Sequence, residues 1–185
     1  MIGIIGQGFV GTAVYEGLKT FFDIETFDIA KDSTCDSLEE LVSKTNIIFV
    51  CLPTPMEKDG SCHIGIVDGV LDKINSLSNK NKTIIVKSTI PPGTTSTWNE
   101  KYKNIDVVFN PEFLTEANAI NDFKNQTRII IGGPKNASSR VRRLFVKAFP
   151  KVKIIKTDST YAEMVKYVTN CFLATKVSFA NEMSE

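Results

Sequence analysis

Seven short runs of apolar and β-branched residues recur along the chain, and longer stretches of helical periodicity separate them. Runs such as residues 47–51 are apolar at consecutive positions, which is typical of strands covered on both faces. The pattern predicts strands at residues 2–5, 24–28, 46–52, 83–87, 106–110, 128–131 and 152–156.

Helical patterns lie between these runs, at residues 10–22, 37–43, 66–77 and 136–149. Ser37 stands where an N-cap is expected, with Glu40 at the capping-box position. Strands that alternate with helices predict an α/β fold, in which right-handed crossovers build a doubly wound parallel sheet.

The last 27 residues, 159–185, contain neither Gly nor Pro and predict one long helix. Asp158 or Ser159 can cap its start, and at 1.5 Å per residue it would extend to roughly 40 Å. The chain therefore divides into residues 1–157 and a helical part, 158–185. A helix that ends the chain without a C-cap suggests that a further segment follows it. Apolar residues recur along it near helical spacing: Val165, Val168, Phe172, Val177 and Phe179.

Composition and charge exclude several classes of protein. A net charge of +1 gives no broad field for nucleic acid, and the longest apolar run has six residues, far below the roughly 20 of a membrane span. The N-terminus lacks the features of a signal peptide, so a cytoplasmic location is expected. The four cysteines form no C-x-x-C pair and His63 is the only histidine, so we expect reduced thiols and no metal site.

The clearest local motif is Gly6-Gln7-Gly8-Phe9-Val10-Gly11, which follows the first predicted strand and opens the first predicted helix. Gly6 permits a tight turn, Gly8 lets a pyrophosphate approach the backbone, and Gly11 allows close packing of helix and strand. The helix start at Phe9 and Val10 then offers unpaired N–H groups to phosphates. This context predicts a Rossmann-like dinucleotide site.

Asp28 ends the second predicted strand, 22 positions after Gly6. Its carboxylate would accept hydrogen bonds from a ribose and repel a 2′-phosphate, which predicts NAD rather than NADP. Lys31 is the only nearby basic residue, and Asp32 follows it at once. The alternative is that the glycines only punctuate a turn and that Asp28 is a solvated strand end; the strand–turn–helix context favours the cofactor.

Three further stretches lie where predicted strands end, at residues 52–55, 87–94 and 110–116. Ligands of open parallel sheets sit beyond the carboxyl ends of the strands, so the hydroxyls and carboxylates of these stretches are candidates for a site. Taken singly, their prolines would only stop strands, and their Ser, Thr and Glu residues would only start helices.

Taken together, the stretches resemble the UDP-glucose/GDP-mannose dehydrogenase family, in particular its N-terminal NAD-binding part. The similarity rests on the glycine loop and on four ordered motifs: Pro53-Thr54-Pro55, residues 88–94 (Ser-Thr-Ile-Pro-Pro-Gly-Thr), residues 110–116 (Asn-Pro-Glu-Phe-Leu-Thr-Glu) and residues 163–167 (Glu-Met-Val-Lys-Tyr). The resemblance implies oxidation of the carbon-6 alcohol of a nucleotide sugar to a carboxylate with two NAD, UDP-glucose to UDP-glucuronate being the first choice. UDP-N-acetylmannosamine and GDP-mannose remain open as substrates.

The resemblance also implies a role for individual residues. Thr89 is similar to a threonine that orders a water near the reacting carbon, and Glu112 to a carboxylate that transfers protons and assists thioester hydrolysis. Glu116 is similar to a glutamate that contacts the cofactor or neighbouring groups of the site. Lys166 and Asn170 resemble a pair that stabilises an oxyanion, and their i, i+4 spacing places both on one helical face. Further cofactor contacts are implied at Pro53, Thr54 and Thr89.

One family feature is missing from the sequence. The family captures an aldehyde on a cysteine in a glycine-rich stretch of a second domain, and none of Cys35, Cys51, Cys62 and Cys171 has that context. We therefore expect the cofactor half of a dehydrogenase, which binds NAD but does not complete the four-electron oxidation alone. It would be a fragment, a short form completed by another polypeptide, or a stand-alone dinucleotide-binding or assembly module.

Two further expectations complete the sequence-based picture. The apolar face of the final helix, which in this family packs in a dimer, predicts a homodimer. A 2-hydroxyacid or 6-phosphogluconate-type dehydrogenase would share the glycine loop, but it would leave residues 110–116, Lys166 and Asn170 unexplained.

Overall fold

The computed structural model describes residues 1–79 and 82–184, so Glu185 of the predicted final helix lies outside the described residues. All seven predicted strands are confirmed, with ends that differ by no more than two residues. They are β1 (Ile2–Ile5), β2 (Ile24–Phe27), β3 (Ile47–Val50), β4 (Lys82–Val86), β5 (Ile105–Phe109), β6 (Arg128–Gly132) and β7 (Lys153–Thr157).

The helices are α1 (Phe9–Leu18), α2 (Leu38–Lys44), α3 (Gly65–Leu77), α4 (Thr94–Lys101), α5 (Ala119–Lys124), α6 (Lys135–Ala148) and α7 (Ser159–Glu182), with a 3₁₀ turn at Glu116–Asn118. The predicted capping box of α2 is present: the Glu40 N–H donates to Ser37 Oγ (3.1 Å), and the Glu40 carboxylate accepts from the Asp36 N–H (2.8 Å). The prediction for α1 was too long, because its last hydrogen-bonded turn ends near Lys19. The helices α4 and α5 were not predicted.

The strands form one sheet in the order β2-β1-β3-β4-β5-β6-β7. β1 lies between β2 and β3, and both pair with it in parallel. The strand order therefore reverses between β1 and β3, and this topological switch point is where open α/β sheets bind their ligands. The loops after β1, β2, β3, β4 and β5 all leave from this one edge, hereafter the carboxyl edge.

The predicted parallel sheet is confirmed except at one junction. β5 and β6 pair antiparallel, through Phe109 and Gly132, and β7 is then parallel to β6. A parallel crossover needs a helix long enough to carry the chain back across the sheet. The six-residue α5 spans only about 9 Å, which is less than the length of a five-residue strand.

Helices cover both faces of the sheet, as the doubly wound prediction requires. One core lies between the sheet and α2, α3 and α4, and the other lies between the sheet and α1, α5 and α6. On the second face Phe123 of α5 packs so tightly on α1 that a Cβ on Gly17 would lie 2.3 Å from its ring.

The long final helix is confirmed, with Asp158 as its N-cap accepting from the Thr160 N–H (2.8 Å). Its first turns pack on β6, where a Cβ on Gly132 would lie 2.6 Å from that of Ala162. Beyond Lys166 it carries a run of exposed apolar side chains: Val168, Phe172, Leu173, Val177 and Phe179. Across residues 1–79 and 82–184, no helix combines the length and the hydrophobicity that crossing a bilayer requires.

Candidate functional site

The glycine loop has the geometry that its sequence predicts. Gly6 has φ +89°, and a Cβ there would lie 2.4 Å from the carbonyl oxygen of Cys51. A Cβ on Gly11 would lie 1.8 Å from the carbonyl oxygen of Gly6, so α1 approaches the end of β1 too closely for any side chain. A Cβ on Gly8 would meet no atom within 4 Å. The backbone at Gly8 is therefore open to a ligand, while Gly6 and Gly11 are required by the fold.

The amino end of α1 is prepared for an anion. Its N-cap is Gly8, no side chain caps it, and its first turn contains no acidic residue. The N–H groups of Phe9, Val10 and Gly11 stand in the first turn, where a helix has no acceptors of its own, and the helix dipole adds partial positive charge. This combination suits a phosphate group.

Asp28 lies beside this loop and is tied to it. Its carboxylate accepts from the Gln7 N–H (2.5 Å) and from the Ala30 N–H (2.8 Å). Burial acts to raise the pKa of Asp28, but these hydrogen bonds outweigh it and the pKa lies below its ordinary value. Lys31 donates to the Gln7 carbonyl oxygen (2.6 Å), so its ammonium is engaged with the loop. The carboxylate thus stays ionised at the place where a ribose would lie.

A cleft of about 670 Å³ runs along the carboxyl edge from this loop. Its walls are largely apolar, which suits an adenine ring, and they include the charged side chains of Asp28, Lys31, Lys87 and Glu112. The apolar lining includes Ile5, Phe27, Ile29, Leu52, Ile66 and Val70. Of the residues predicted to contact the cofactor, Gly6, Gly8, Phe9, Val10, Asp28, Lys31, Pro53, Thr54 and Thr89 line the cleft. The residues present therefore fit a dinucleotide.

Glu116 does not line this cleft. It lies on the 3₁₀ turn, in a second depression of about 520 Å³ that shares Gly8, Phe9 and Lys31 with the cleft. The two cavities meet at the amino end of α1, so Glu116 faces the ligand region from its other side.

Hydrogen bonds between neighbouring loops fix Thr89. The Thr54 hydroxyl donates to the Thr89 carbonyl oxygen (2.8 Å). The Ser88 hydroxyl donates to the Leu52 carbonyl oxygen (2.6 Å) and accepts from the Leu52 N–H (3.1 Å). The loops after β3 and β4 therefore behave as one wall of the cleft.

Glu112 lines the cleft and is paired with Lys166 of α7. The Lys166 ammonium donates to Glu112 Oε1 (2.6 Å) and to the Glu112 carbonyl oxygen (2.8 Å). Glu112 Oε2 accepts from the Leu114 N–H (2.7 Å), and both side chains are nearly buried, at 12% and 8% exposure. The pair therefore places a fixed cation and a fixed carboxylate side by side, an arrangement that can hold or move a proton. Asn170, one turn further along α7, is exposed and does not join them.

Lys87 also lines the cleft, and no role was predicted for it from the sequence. Its ammonium donates to Asn110 Oδ1 (2.9 Å) and to the Asn110 carbonyl oxygen (3.2 Å), and the residue is 4% exposed. Burial lowers the pKa of Lys87 to about 8, although the nearby Cys51 and Glu112 act to raise it. A lysine directly after the apolar residues 84–86 is the signal that could have identified it.

Cys51 also lines the cleft, and its environment makes it a poor nucleophile. Burial raises the pKa of Cys51 to about 12, so its thiol stays protonated at neutral pH. Cys35 is buried as well, and desolvation raises its pKa.

Glu163 is a second residue without a predicted role. It is fully buried on α7, and its carboxylate accepts from the Gly93 N–H (2.6 Å) and the Thr95 N–H (2.8 Å) at the start of α4. Burial raises the pKa of Glu163 above its ordinary value, against these hydrogen bonds, which lower it. A glutamate three residues before Lys166, on the inner face of the helix, is the sequence signal for it.

The helices α3 and α4 are also joined through a carboxylate. Asp68 Oδ1 accepts from Trp98 Nε1 and from the Tyr102 hydroxyl, each at 2.9 Å. Asp68 stands between Ile66 and Val70, two residues of the cleft wall, so α4 supports that wall from behind.

Comparisons with known proteins identify relatives of the chain. Residues 16–149 match the model of the UDP-glucose/GDP-mannose dehydrogenase family, NAD binding domain, and residues 160–185 match that of the family's central domain. An uncharacterized protein of Methanocaldococcus jannaschii is 32% identical, over 100% of this chain and 25% of its own length. A UDP-glucose 6-dehydrogenase of Rickettsia conorii is 35% identical, over 78% of this chain and 34% of its own length.

A solved structure is similar over nearly the whole chain. The UDP-glucose dehydrogenase from the hyperthermophilic archaeon Pyrobaculum islandicum has a TM-score of 0.86 at 25% identity, covering 98% of this chain and 51% of that chain. The chain spans about a quarter to a third of the length of the two curated relatives.

Proposed function

Because the chain belongs to the UDP-glucose/GDP-mannose dehydrogenase family and contains its NAD-binding domain, we propose that it binds NAD in the cleft at the carboxyl edge, as part of a nucleotide-sugar 6-dehydrogenase. The observation that carries this proposal is that the glycine loop, Asp28 and Glu112, the partner of Lys166, all line one cleft. NAD would supply the hydride acceptor for oxidation of the carbon-6 alcohol of a UDP-sugar, with UDP-glucose as the first substrate to test.

Each group of residues has a distinct part in this proposal. The N–H groups of Phe9, Val10 and Gly11 would hold the pyrophosphate, and Asp28 the adenosine ribose. Lys166 would stabilise an alkoxide by its fixed positive charge, and Glu112 would take the proton that the alcohol loses. Thr89 would order a water near the reacting carbon, Glu116 would contact the cofactor or neighbouring groups of the site, and Asn170 would assist Lys166 at the oxyanion.

The second oxidation needs a nucleophile that the described cysteines do not offer. The thiol of Cys51, which lines the cleft, is held protonated. We therefore propose that residues 1–157 form the NAD-binding part, that α7 connects it to a cysteine-bearing domain, and that this chain alone does not complete the four-electron reaction. Formation of UDP-glucuronate from UDP-glucose by the pure chain would contradict this.

The apolar side chains of α7 support self-association through this helix. Val168, Phe172 and Phe179 are each more than half exposed, and their spacings of four and seven residues bring them to one face of the helix. A second copy of α7 would cover them, so we propose a homodimer through this surface.

One glycine tests the cofactor site without disturbing the fold. Gly8→Ala places its methyl group in open space, and Gly8 has φ −66°, which alanine adopts readily, so stability should not fall. The methyl group would occupy the surface that a pyrophosphate approaches, and we expect the Kd for NAD to rise at least about tenfold, equivalent to about 1.4 kcal/mol. Calorimetric titration with NAD and NADP measures this.

Gly69→Ala is the matched control, because Gly69 is exposed on α3 and its Cβ would also meet no atom within 4 Å. It should leave NAD binding unchanged. Equal affinity of the Gly8→Ala variant and the unmodified chain would refute the proposed pyrophosphate position. No binding of NAD at millimolar concentration by the folded chain would refute the proposed function.

A further inference from the structure

Glu163 is buried, and its carboxylate lies at the amino end of α4, where the helix needs a cap. The N-cap of α4 is Gly93, in the left-handed region at φ +93°, and no side chain caps the helix from a local position. The carboxylate of Glu163 instead reaches both the Gly93 N–H and the Thr95 N–H from another helix. A serine or threonine N-cap would be strained at this φ, so the amino end of α4 is capped from elsewhere, by the turn of α7 that also carries Lys166.

The Glu163 carboxylate holds the far end of the loop that carries Thr89. That loop runs from Ser88 to Gly93 and contains Pro91 and Pro92, whose rings restrict the backbone. Its near end is tied to the loop after β3 through Ser88 and Thr89. A fixed Gly93 therefore leaves the Thr89 segment little freedom relative to α7.

Lys166 makes the equivalent contact to the next loop. It stands three residues after Glu163 and is buried on the same helix, and its ammonium binds Glu112 after β5. One turn of α7 thus binds the loop after β4 through the Glu163 carboxylate and the loop after β5 through the Lys166 ammonium. Ala162 lies in the same turn and packs closely against Gly132, so this turn lies directly on the sheet.

We propose that Glu163 is a positioning residue, which fixes the turn of α7 that carries Lys166 against the Thr89 loop and so sets the geometry of the Lys166–Glu112 pair. The inference rests on the proposed function, in which that pair and Thr89 serve the reacting end of the cleft. Glu163 itself is buried away from the cleft and acts through Lys166.

Lysine reactivity tests this on the chain itself, without substrate. A water-soluble acetylating ester labels amines as they become exposed, and mass spectrometry gives the rate at each lysine. Glu163→Gln keeps the shape of the side chain but offers one acceptor where two N–H groups need one each. We expect labelling of Lys166 to accelerate at least about tenfold, while the equally buried Lys87 stays at its original rate.

The labelling rate of Lys87 distinguishes a local displacement of Lys166 from a loss of overall stability, because global unfolding exposes both lysines together. Ser37→Ala removes a cap of comparable strength from α2 and should not change the Lys166 to Lys87 rate ratio. Glu163→Asp keeps the charge and should restore part of the protection of Lys166. If Glu163→Gln does not fold, Glu163→Asp is measured alone, and a selective increase at Lys166 supports the proposal.

Three results would overturn it: equal acceleration at Lys166 and Lys87, no acceleration at either, or failure of both Glu163 variants to fold. The last would show that Glu163 supports the whole fold rather than one site. None of these results depends on NAD binding, so failure of the proposed function would be recognised separately, in the titration with NAD.

Discussion

The buried ammonium of Lys87 should make stability depend on pH in a defined direction. Burial lowers its pKa from 10.5 to about 8, which corresponds to about 3 kcal/mol at about 1.4 kcal/mol per tenfold change in proton affinity. Below about pH 8 the lysine is charged in both the folded and the unfolded chain. Between about pH 8 and 10.5 the unfolded chain still binds the proton that the folded chain has released, so stability rises with pH across this window.

Lys87→Met removes this titration and keeps most of the side-chain volume. At neutral pH the variant avoids the unfavourable free energy of burying a charged ammonium. It also leaves two acceptor atoms of Asn110 without a donor, which lowers stability by about 1–3 kcal/mol. The two effects nearly cancel, so unmodified chain and variant should be similar in stability near pH 7. Toward pH 10 the unmodified chain should become more stable than the variant by most of the 3 kcal/mol.

Urea unfolding followed by far-ultraviolet circular dichroism, repeated from about pH 7 to about pH 10, measures this difference. All other titrating groups are common to the two proteins and cancel. Lys135→Met makes the same change at an exposed lysine and controls for the substitution itself. A difference between the unmodified chain and Lys87→Met that stays constant over this range would refute the reasoning.

Three further predictions concern the cofactor site, the fold and the final helix. Asp28→Asn removes the negative charge but keeps a hydrogen-bonding side chain, so the affinity for NAD should fall about tenfold or more while NADP binding improves. Titration of both nucleotides measures this. An unchanged ratio of the affinities for NAD and NADP would contradict the role of Asp28. Gly11→Ala forces a methyl group to 1.8 Å from the Gly6 carbonyl oxygen, so thermal unfolding should show a loss of at least about 3 kcal/mol or no folded protein, and wild-type stability would be incompatible with the observed packing. Phe172→Glu should convert a dimer to a monomer in sedimentation at micromolar concentration, with Glu39→Gln on α2 as a surface control; a monomeric unmodified chain would exclude the proposed interface.

Local chemistry explains why much of the fold could be predicted. The strands are apolar at consecutive positions, and Gly6 and Gly11 act through backbone geometry at a single turn. Ser37 and Glu40 likewise cap a helix within four residues of sequence. Each of these predictions needed only neighbouring residues, and each of these elements is confirmed.

The remaining features depend on contacts between distant parts of the chain. The helix α4 begins Thr94-Thr95-Ser96-Thr97, with poor helix formers, and its cap comes from Glu163, 68 to 70 residues away. The direction of β6 follows from the path of the whole segment between β5 and β6. Helical spacing predicted that Asn170 lies beside Lys166. The spacing does not show where α7 moves away from the sheet, and in the structure that point lies between these two residues.

Trp98 gives the molecule a built-in optical reporter. It is the only tryptophan in the sequence. Its indole N–H donates a hydrogen bond to Asp68, which lies on α3 between two residues that line the cleft. Reduced nicotinamide absorbs light in the range where indole emits. Addition of NADH should therefore quench the emission of this single chromophore and sensitise that of the nucleotide, so occupancy could be read by energy transfer in the unlabelled protein.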